Sequence, residues 1–322
     1  MKNKSLLIFG GGINQLNLIN TVNSMGLTSV VIDPNEENPG KKISKFFYKV
    51  AGNDYHTTKK IALKHKILGL VTTQTEKPLR LMSKLALDLN LIFLKSEVLE
   101  RSLSKKLMKE CFIKNKIKCA SGLVFSKDDI IKNSSLEKLN FPLIIKPSNS
   151  HSSQGVFKVN SFFEIKKYKA ISMSYSSNSE IILEEFIKGR EFSVESVTFN
   201  NITSIIQITE KFITPFPNTV EIGHLQPARL TTNEKNIIEN FTKKVINAIG
   251  INNSLSHTEL FLTKNGPVVG EIGARGGGDF ISSYLTESST GISMNKSMID
   301  IALNRKPNLK KTRNYCSMIK YY

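Results

Sequence analysis

One short segment near the C-terminus constrains the fold of this chain more than any other. Residues 255–281 read LSHTELFLTKNGPVVGEIGARGGGDFI, two apolar strands that each carry one glutamate, Glu259 and Glu271. The Asn265-Gly266 pair between them is a strong hairpin signal. If the ladder runs back from that turn, the two glutamates lie close to cross-strand register, where their carboxylates repel each other unless a cation lies between them.

The cation expected at these glutamates is Mg²⁺, with Mn²⁺ as a compatible substitute. Magnesium is normally held by one or two protein carboxylates, while substrate phosphates and water complete its octahedron. The hairpin therefore predicts a nucleotide site elsewhere in the chain.

A loop suited to phosphate lies upstream of the hairpin. Residues 141–156, FPLIIKPSNSHSSQGV, form an apolar strand that ends in Lys146, then a loop of small residues and a second strand. Ser152, Ser153 and Gly155 keep side-chain bulk low, so that phosphate oxygens can approach backbone N–H groups, and the lysine supplies a point charge. The order, lysine first and glycine last, is not that of a Walker loop.

The next segment, IILEEFIKGREFSVE at residues 181–195, suits an adenosine clamp. An acid and the backbone after it would meet the adenine edge, apolar side chains would lie beside the adenine faces, and a later glutamate would bind the ribose hydroxyls. The expected clamp comprises Glu184, Glu185, Phe186, Ile187 and Glu191.

Taken in order, the lysine, the small-residue loop, EEFIKGRE, HTELFL and VVGEIGARGGG resemble the ATP-grasp superfamily. Within it, EIGARGGGDFI and the later STGI are similar to the carboxylate–amine ligases that join amino acids. The resemblance covers roughly residues 100–305. It implies an ATP-dependent ligase that forms an amide or peptide bond through an acyl phosphate, releasing ADP and phosphate.

The resemblance also implies roles for individual positions. Lys105 and Lys146 match the nucleotide lysines of the family, and Glu259 and Glu271 match its metal ligands. Arg275 matches an arginine that faces the transferred phosphate and the reacting carboxylate, so Arg275 and Glu271 are the expected catalytic residues.

Other positions are weaker candidates or departures. His224, Arg229, Gly276 and Gly277 are expected to line the substrate pocket. Many relatives carry an asparagine as a further metal ligand where this chain has Gly273, which leaves one coordination site to water. The sequence ends at CSMIKYY, where longer ligases continue, so part of the usual substrate enclosure is expected to be absent.

The expected fold class is α/β, an ATP-grasp fold in three parts. An N-terminal Rossmann-like domain with a parallel sheet spans residues 1–95, a linker helix and a small α/β lid span 96–187, and an antiparallel-sheet subdomain with the metal site spans 188–322. The lid is expected to contain helices near 128 and 163. The opening SLLIFGGG resembles a dinucleotide-binding turn, but Gln15 stands where that fingerprint needs glycine.

Charge and composition limit the partners and the location that are expected for this protein. The formal net charge is +18, but the lysines are scattered as pairs without interleaved aromatic residues, which disfavours nucleic acid as a partner. There is no apolar run long enough to span a membrane and no signal-peptide pattern, so a soluble cytoplasmic protein is expected. The expected partners are a small-molecule carboxylate and amine, and a homodimer is compatible with the sequence.

Two alternatives remain open at this point. One is a bicarbonate-using carboxylase of the same fold, and the other is a nucleotide-binding protein without ligase activity. The sequence does not identify the acid or the amine.

Overall fold

The computed structural model of the protein describes residues 4–149, 154–216 and 220–321. Within these ranges three sheets follow one another along the chain. Ser152 and Ser153, predicted for the phosphate loop, lie outside the described residues.

The first sheet is parallel and belongs to the N-terminal part of the chain. Its elements are β1 (Ser5–Phe9), α1 (Leu16–Ser24), β2 (Thr28–Asp33), β3 (Phe46–Lys49), α2 (Tyr55–Lys64), β4 (Ile67–Val71) and α3 (Leu79–Asp88). The strand order is β3-β2-β1-β4, and all three neighbouring pairs are parallel. The connections between the strands carry the chain back to start the next strand in the same direction. Gln15 fills the glycine turn after β1, where its side-chain amide donates to the Thr73 carbonyl at 3.0 Å.

Two helices lead from this sheet to the lid, α4 (Ser96–Leu103) and α5 (Lys105–Lys114). Ser104 lies between them, and its hydroxyl accepts a hydrogen bond from the Leu107 N–H at 3.3 Å. This N-cap ends one helix and begins the next, and it places Lys105 in the first turn of α5.

The second sheet forms the lid. Its elements are β5 (Gly122–Ser126), β6 (Leu143–Pro147), β7 (Phe157–Val159), α6 (Phe162–Ser174) and β8 (Glu180–Glu185), and the strand order is β5-β8-β6-β7. The helix predicted near residue 128 is wrong. The Asp129 carboxylate accepts from the Ser126 N–H at 2.6 Å and closes a turn there, and the Lys169 ammonium binds the carbonyl oxygens of Lys127 and Asp129.

The third sheet carries the glutamate hairpin. Its elements, with the helices between them, are β9 (Arg190–Phe199), β10 (Ile202–Ile213), β11 (Glu221–Gln226), α7 (Thr232–Ile249), β12 (Ser254–Thr263), β13 (Gly266–Gly273), α8 (Thr286–Thr290), α9 (Met294–Ala302) and β14 (Ser317–Lys320). The strand order is β13-β12-β9-β10-β11-β14, with antiparallel neighbours throughout. Thr231 and Glu234 form a capping box at the start of α7.

The third part of the chain also packs against the first. Ile299 and Ala302 of α9 share one apolar cluster with Leu6 and Val71 of the parallel sheet. The glutamate hairpin is therefore held close to the loop that follows β4.

Candidate functional site

The two predicted metal ligands face each other across the hairpin. Glu259 on β12 and Glu271 on β13 are direct partners in the antiparallel register, as the Asn265-Gly266 turn predicts. Directly opposed side chains in such a pair lie on the same face of the sheet. Their carboxylate oxygens are the hard donors that Mg²⁺ prefers, so the pair fits a divalent cation.

Glu259 belongs to a group of three carboxylates around one buried ammonium. The Lys211 Nζ lies 3.1 Å from Glu259, 2.9 Å from Glu191 and 2.8 Å from Glu221, and its side chain is only 4% exposed. Burial alone would lower the pKa of Lys211, but the carboxylates raise it well above its ordinary value. This lysine is charged, and it was not predicted from the sequence.

Glu271 has an ammonium partner of its own. The Lys105 Nζ lies 2.8 Å from the Glu271 carboxylate. The structure thus brings together a predicted nucleotide lysine and a predicted metal ligand that are far apart in sequence.

A chain of buried polar groups extends behind Glu259. The fully buried Glu195 carboxylate binds His257 Nδ1, and His257 Nε2 lies 3.4 Å from Glu259 Oε1. Burial alone would lower the pKa of His257, but Glu195, with help from Glu259, raises it to about 9. The second Glu195 oxygen accepts the Gly277 N–H at 3.0 Å. Neither Glu195 nor His257 was predicted.

Arg275 is held by a residue of the N-terminal part. Its Nε and Nη2 donate to Glu76 Oε1 at 3.1 and 2.9 Å, and its Nη1 donates to the Gly276 carbonyl at 3.0 Å. Glu76 Oε1 also lies 3.6 Å from the place that a side chain at Gly273 would start. A carboxylate therefore stands close to the position at which the family resemblance implies an asparagine ligand.

Three further charged groups meet beneath the predicted nucleotide site. The Glu184 carboxylate contacts Lys146 and, at 2.9 Å, Lys109, and all three side chains are nearly buried. Burial would raise the pKa of Glu184, but the two lysines lower it to about 2. The predicted contact of Glu184 with the adenine edge stays a prediction. Lys109 was not predicted.

The remaining clamp residues lie where β8 leaves the lid. Glu185 accepts hydrogen bonds from the Asn140 N–H and side-chain amide at 2.9 and 2.8 Å. Phe186 lies edge-on to Phe216 with ring centroids 5.7 Å apart, and Ile187 beside it is half-buried. These residues form a partly apolar rim next to the lysines.

The lid loop ends at a residue that has to be glycine. Gly155 has a φ of +73°, and a side chain there would meet Pro147 and Tyr175 at 2.9 Å. A left-handed residue in contact with two rings leaves room for glycine alone.

The weaker substrate candidates divide into two groups. His224 is fully buried, and its Nε2 lies 3.1 Å from Glu221 Oε2. One ligand atom from each of His224, Glu221 and Asp279 lies within 4.8 Å of the others, so these three side chains could hold a cation. Burial and the nearby Glu221 charge raise the pKa of Asp279.

Arg229 is not part of this group. Its guanidinium is bound to Glu210 at 2.9 and 3.1 Å. Glu210 and Lys211 are consecutive on β10, and side chains alternate between the faces of a strand. Arg229 therefore lies on the opposite face of the sheet from the Lys211 cluster.

Comparison with known proteins identifies the domain. A sequence model of the ATP-grasp domain matches residues 139–283. The chain contains an ATP-grasp domain. The D-alanine–D-alanine ligase of Flavobacterium psychrophilum is 27% identical over 203 residues, which cover 60% of this chain and 61% of that protein. The chain thus spans less than two thirds of this relative.

Solved ATP-grasp structures share the fold. The L-amino acid ligase of Bacillus licheniformis matches 96% of this chain and 75% of its own, with a TM-score of 0.80 and 25% identity. An N5-carboxyaminoimidazole synthetase of Staphylococcus aureus, crystallised with ADP, matches with a TM-score of 0.81 over 100% of this chain and 83% of its own, at 16% identity. The predicted ATP-grasp fold is confirmed, and the relatives are consistent with the carboxylate–amine ligase branch.

Among the described residues, no helix combines the length and apolar character needed to cross a bilayer.

Proposed function

We propose that this ATP-grasp protein is an ATP-dependent ligase that joins a carboxylate to an amine. The observation that carries the proposal is the opposed pair Glu259 and Glu271, placed beside Lys105 and near Arg275 within an ATP-grasp domain. The names of two relatives, D-alanine–D-alanine ligase and L-amino acid ligase, support an amide-forming reaction.

Each charged group has a role in this reaction. Glu259 and Glu271 would hold Mg²⁺, which supplies charge neutralisation for phosphoryl transfer. Lys105 and Lys146 would bind the phosphates of ATP, and the apolar rim at Phe186 would receive adenine.

The chemistry has two steps. A substrate carboxylate oxygen attacks the γ-phosphorus, ADP leaves, and an acyl phosphate forms. The amine then attacks the acyl carbon, loses a proton, and expels phosphate, which gives the amide. Arg275 would stabilise the oxyanion that develops in the second step, together with backbone N–H groups of the glycine-rich loop.

An amino acid is the substrate that best fits the surroundings of Lys211. Ligand atoms of Glu221, Asp279 and the buried His224 lie within 4.8 Å of one another, and Glu221 also contacts Lys211. The carboxylates of this group suit a substrate ammonium group, which bicarbonate lacks. We place the reaction in the cytoplasm, which agrees with three free cysteines.

The decisive experiment measures ADP and phosphate release over a matrix of amino-acid pairs, with mass spectrometry of the products. Amide formation that requires both an acid and an amine supports the ligase. ATP turnover that depends on bicarbonate alone would identify a carboxylase, and nucleotide binding without turnover would identify a binding protein.

The variant Arg275→Lys sharpens this test. Lysine cannot reproduce the planar guanidinium, so ligation should fall about 100-fold or more while ATP affinity is retained. Arg80→Lys is the control, because Arg80 forms a comparable pair with Glu100 at 2.6 Å between two helices. Undiminished ligation by Arg275→Lys would remove this arginine from the mechanism.

A further inference from the structure

Glu195 is a buried carboxylate that the proposed reaction does not use. Its side chain is completely inaccessible within β9, and it touches two groups from other parts of the chain, His257 Nδ1 and the Gly277 N–H. A glutamate is almost never fully buried unless it is paired, because removing its charge from water is costly.

His257 extends the contact to the proposed metal site. Both ring nitrogens face carboxylates, Glu195 on one side and Glu259 at 3.4 Å on the other. A ring that serves two carboxylate acceptors has to donate from both nitrogens. Glu195 therefore fixes the orientation of the ring, and the ring fixes one oxygen of Glu259.

The geometry leaves the other oxygen of Glu259 for a cation. In the described chain, His257 and Lys211 both contact Oε1, at 3.4 and 3.1 Å. A carboxylate held by one oxygen from two sides presents Oε2 in a fixed direction. Outer partners of this kind orient the ligands of metal sites.

The second partner of Glu195 belongs to the glycine-rich loop. A side chain at Gly277 would start 2.6 Å from both Glu195 Oε1 and His257 Nδ1, so this backbone is packed directly on the pair. The loop connects Arg275 to the rest of the site. The Glu195 carboxylate thus contacts both His257, which holds the proposed metal ligand Glu259, and the glycine-rich loop beside the reacting groups.

We propose that Glu195 is a positioning residue for two halves of the site: through His257 it orients Glu259 toward a divalent cation, and directly it fixes the Gly277 N–H in the glycine-rich loop. The inference rests on the proposed function for the identity of the cation. The contact with the loop is independent of that function.

The test uses the full chain with Glu195→Gln. The glutamine side chain has nearly the same shape, but it carries no charge and offers only one acceptor oxygen, so it cannot hold a doubly protonated His257 and the Gly277 N–H as the carboxylate does. We expect the affinity for Mn²⁺, measured by electron paramagnetic resonance with a non-hydrolysable ATP analogue, to fall about 10- to 100-fold. The affinity for the analogue without metal should stay within about threefold of the wild-type value.

A matched control is available on the neighbouring strand. Glu210 is also largely buried and ion-paired, with Arg229 at 2.9 Å, but it lies on the opposite face of the sheet. Glu210→Gln should leave Mn²⁺ affinity unchanged. His257→Gln should reproduce the loss of Mn²⁺ affinity seen for Glu195→Gln. The double variant should lose no more Mn²⁺ affinity than the single variant with the larger loss, because both residues act along one path.

A second readout needs neither metal nor turnover. In the amide NMR spectrum, Glu195→Gln should change the Gly277 resonance and increase its hydrogen-exchange rate at least 10-fold. If Glu195→Gln does not fold, the metal measurement on His257→Gln decides the first half of the proposal, and wild-type Mn²⁺ affinity there overturns it.

The outcomes separate this inference from the proposed function. A wild-type protein that fails to bind Mn²⁺ with the analogue overturns the ligase proposal and the metal half of this inference together. Normal Mn²⁺ binding by a folded Glu195→Gln, with an unchanged Gly277 amide, overturns the inference alone.

Discussion

Glu184 offers a stability prediction whose size follows from its surroundings. Its carboxylate lies between Lys109 and Lys146, which lower its pKa from 4.5 to about 2 despite its burial. At about 1.4 kcal/mol for each pKa unit, these contacts contribute about 3 kcal/mol to the free energy of unfolding at pH 7. Glu184→Gln should lose about this amount, which agrees with the roughly 3 to 5 kcal/mol expected for breaking a buried ion pair.

The pH dependence of the stability loss in Glu184→Gln tests whether the two ion pairs cause it. Because the folded-state pKa is depressed, the contribution is fully present above pH 4.5 and is lost as the pH falls toward about 2. The difference between the wild-type protein and Glu184→Gln should therefore shrink over that window, since the wild-type carboxylate becomes protonated there as well.

The assay is urea unfolding followed by circular dichroism at a series of pH values from neutral to acid. Glu185→Gln is the control, because the adjacent carboxylate accepts hydrogen bonds from Asn140 rather than lysines. A stability loss for Glu184→Gln that is independent of pH, or no larger than that of the control, would refute the ion-pair account.

Three further predictions concern binding and packing. Glu271→Gln should abolish metal-dependent turnover while keeping the fold, because it removes a charge from the site with little change in size; turnover is measured by ADP release against Mg²⁺ concentration. Lys146→Ala should weaken ATP binding about 10- to 100-fold, the cost of a charged hydrogen bond, as measured by calorimetry. Gly277→Ala should destabilise the protein by about 1 to 3 kcal/mol, because the new methyl group would overpack the Glu195–His257 pair 2.6 Å away; thermal unfolding measures this loss.

Each of these three predictions has a control variant or a result that would contradict it. ATP consumption at the wild-type rate by Glu271→Gln would contradict the metal assignment. Lys49→Ala changes a side chain that is 65% exposed and should leave ATP affinity unchanged. If Lys146→Ala weakens ATP binding no more than Lys49→Ala does, Lys146 does not bind the phosphates. Gly278→Ala places its methyl group in open space and should be tolerated, so equal losses at the two glycines would count against the packing argument.

The parts of the site that the sequence predicted rest on local signals. The register of Glu259 against Glu271 follows from the Asn265-Gly266 turn between them. The helix expected near residue 128 is wrong because the Asp129 carboxylate accepts from the Ser126 N–H and closes a turn instead, and Lys169, 40 residues away, binds the Asp129 carbonyl oxygen.

The site residues that the sequence did not predict are brought together by contacts between distant segments. Glu195 lies 62 residues from His257, and Glu76 lies 199 residues from Arg275. One signal was present on β9, where Glu191 and Glu195 recur with a period of two and so share a face of the strand. That pattern indicates a polar face, but it does not reveal the partner on β12.

The ammonium partners of the hairpin glutamates have a consequence for the order of binding. A dication that arrives alone adds two positive charges beside Lys105, which is paired with Glu271, and Lys211, which is paired with Glu259. A triphosphate that arrives alone adds negative charge beside the two glutamates. When both arrive together, their charges offset each other within the site. We therefore expect Mg²⁺ and ATP to enter as one unit and each to raise the affinity for the other.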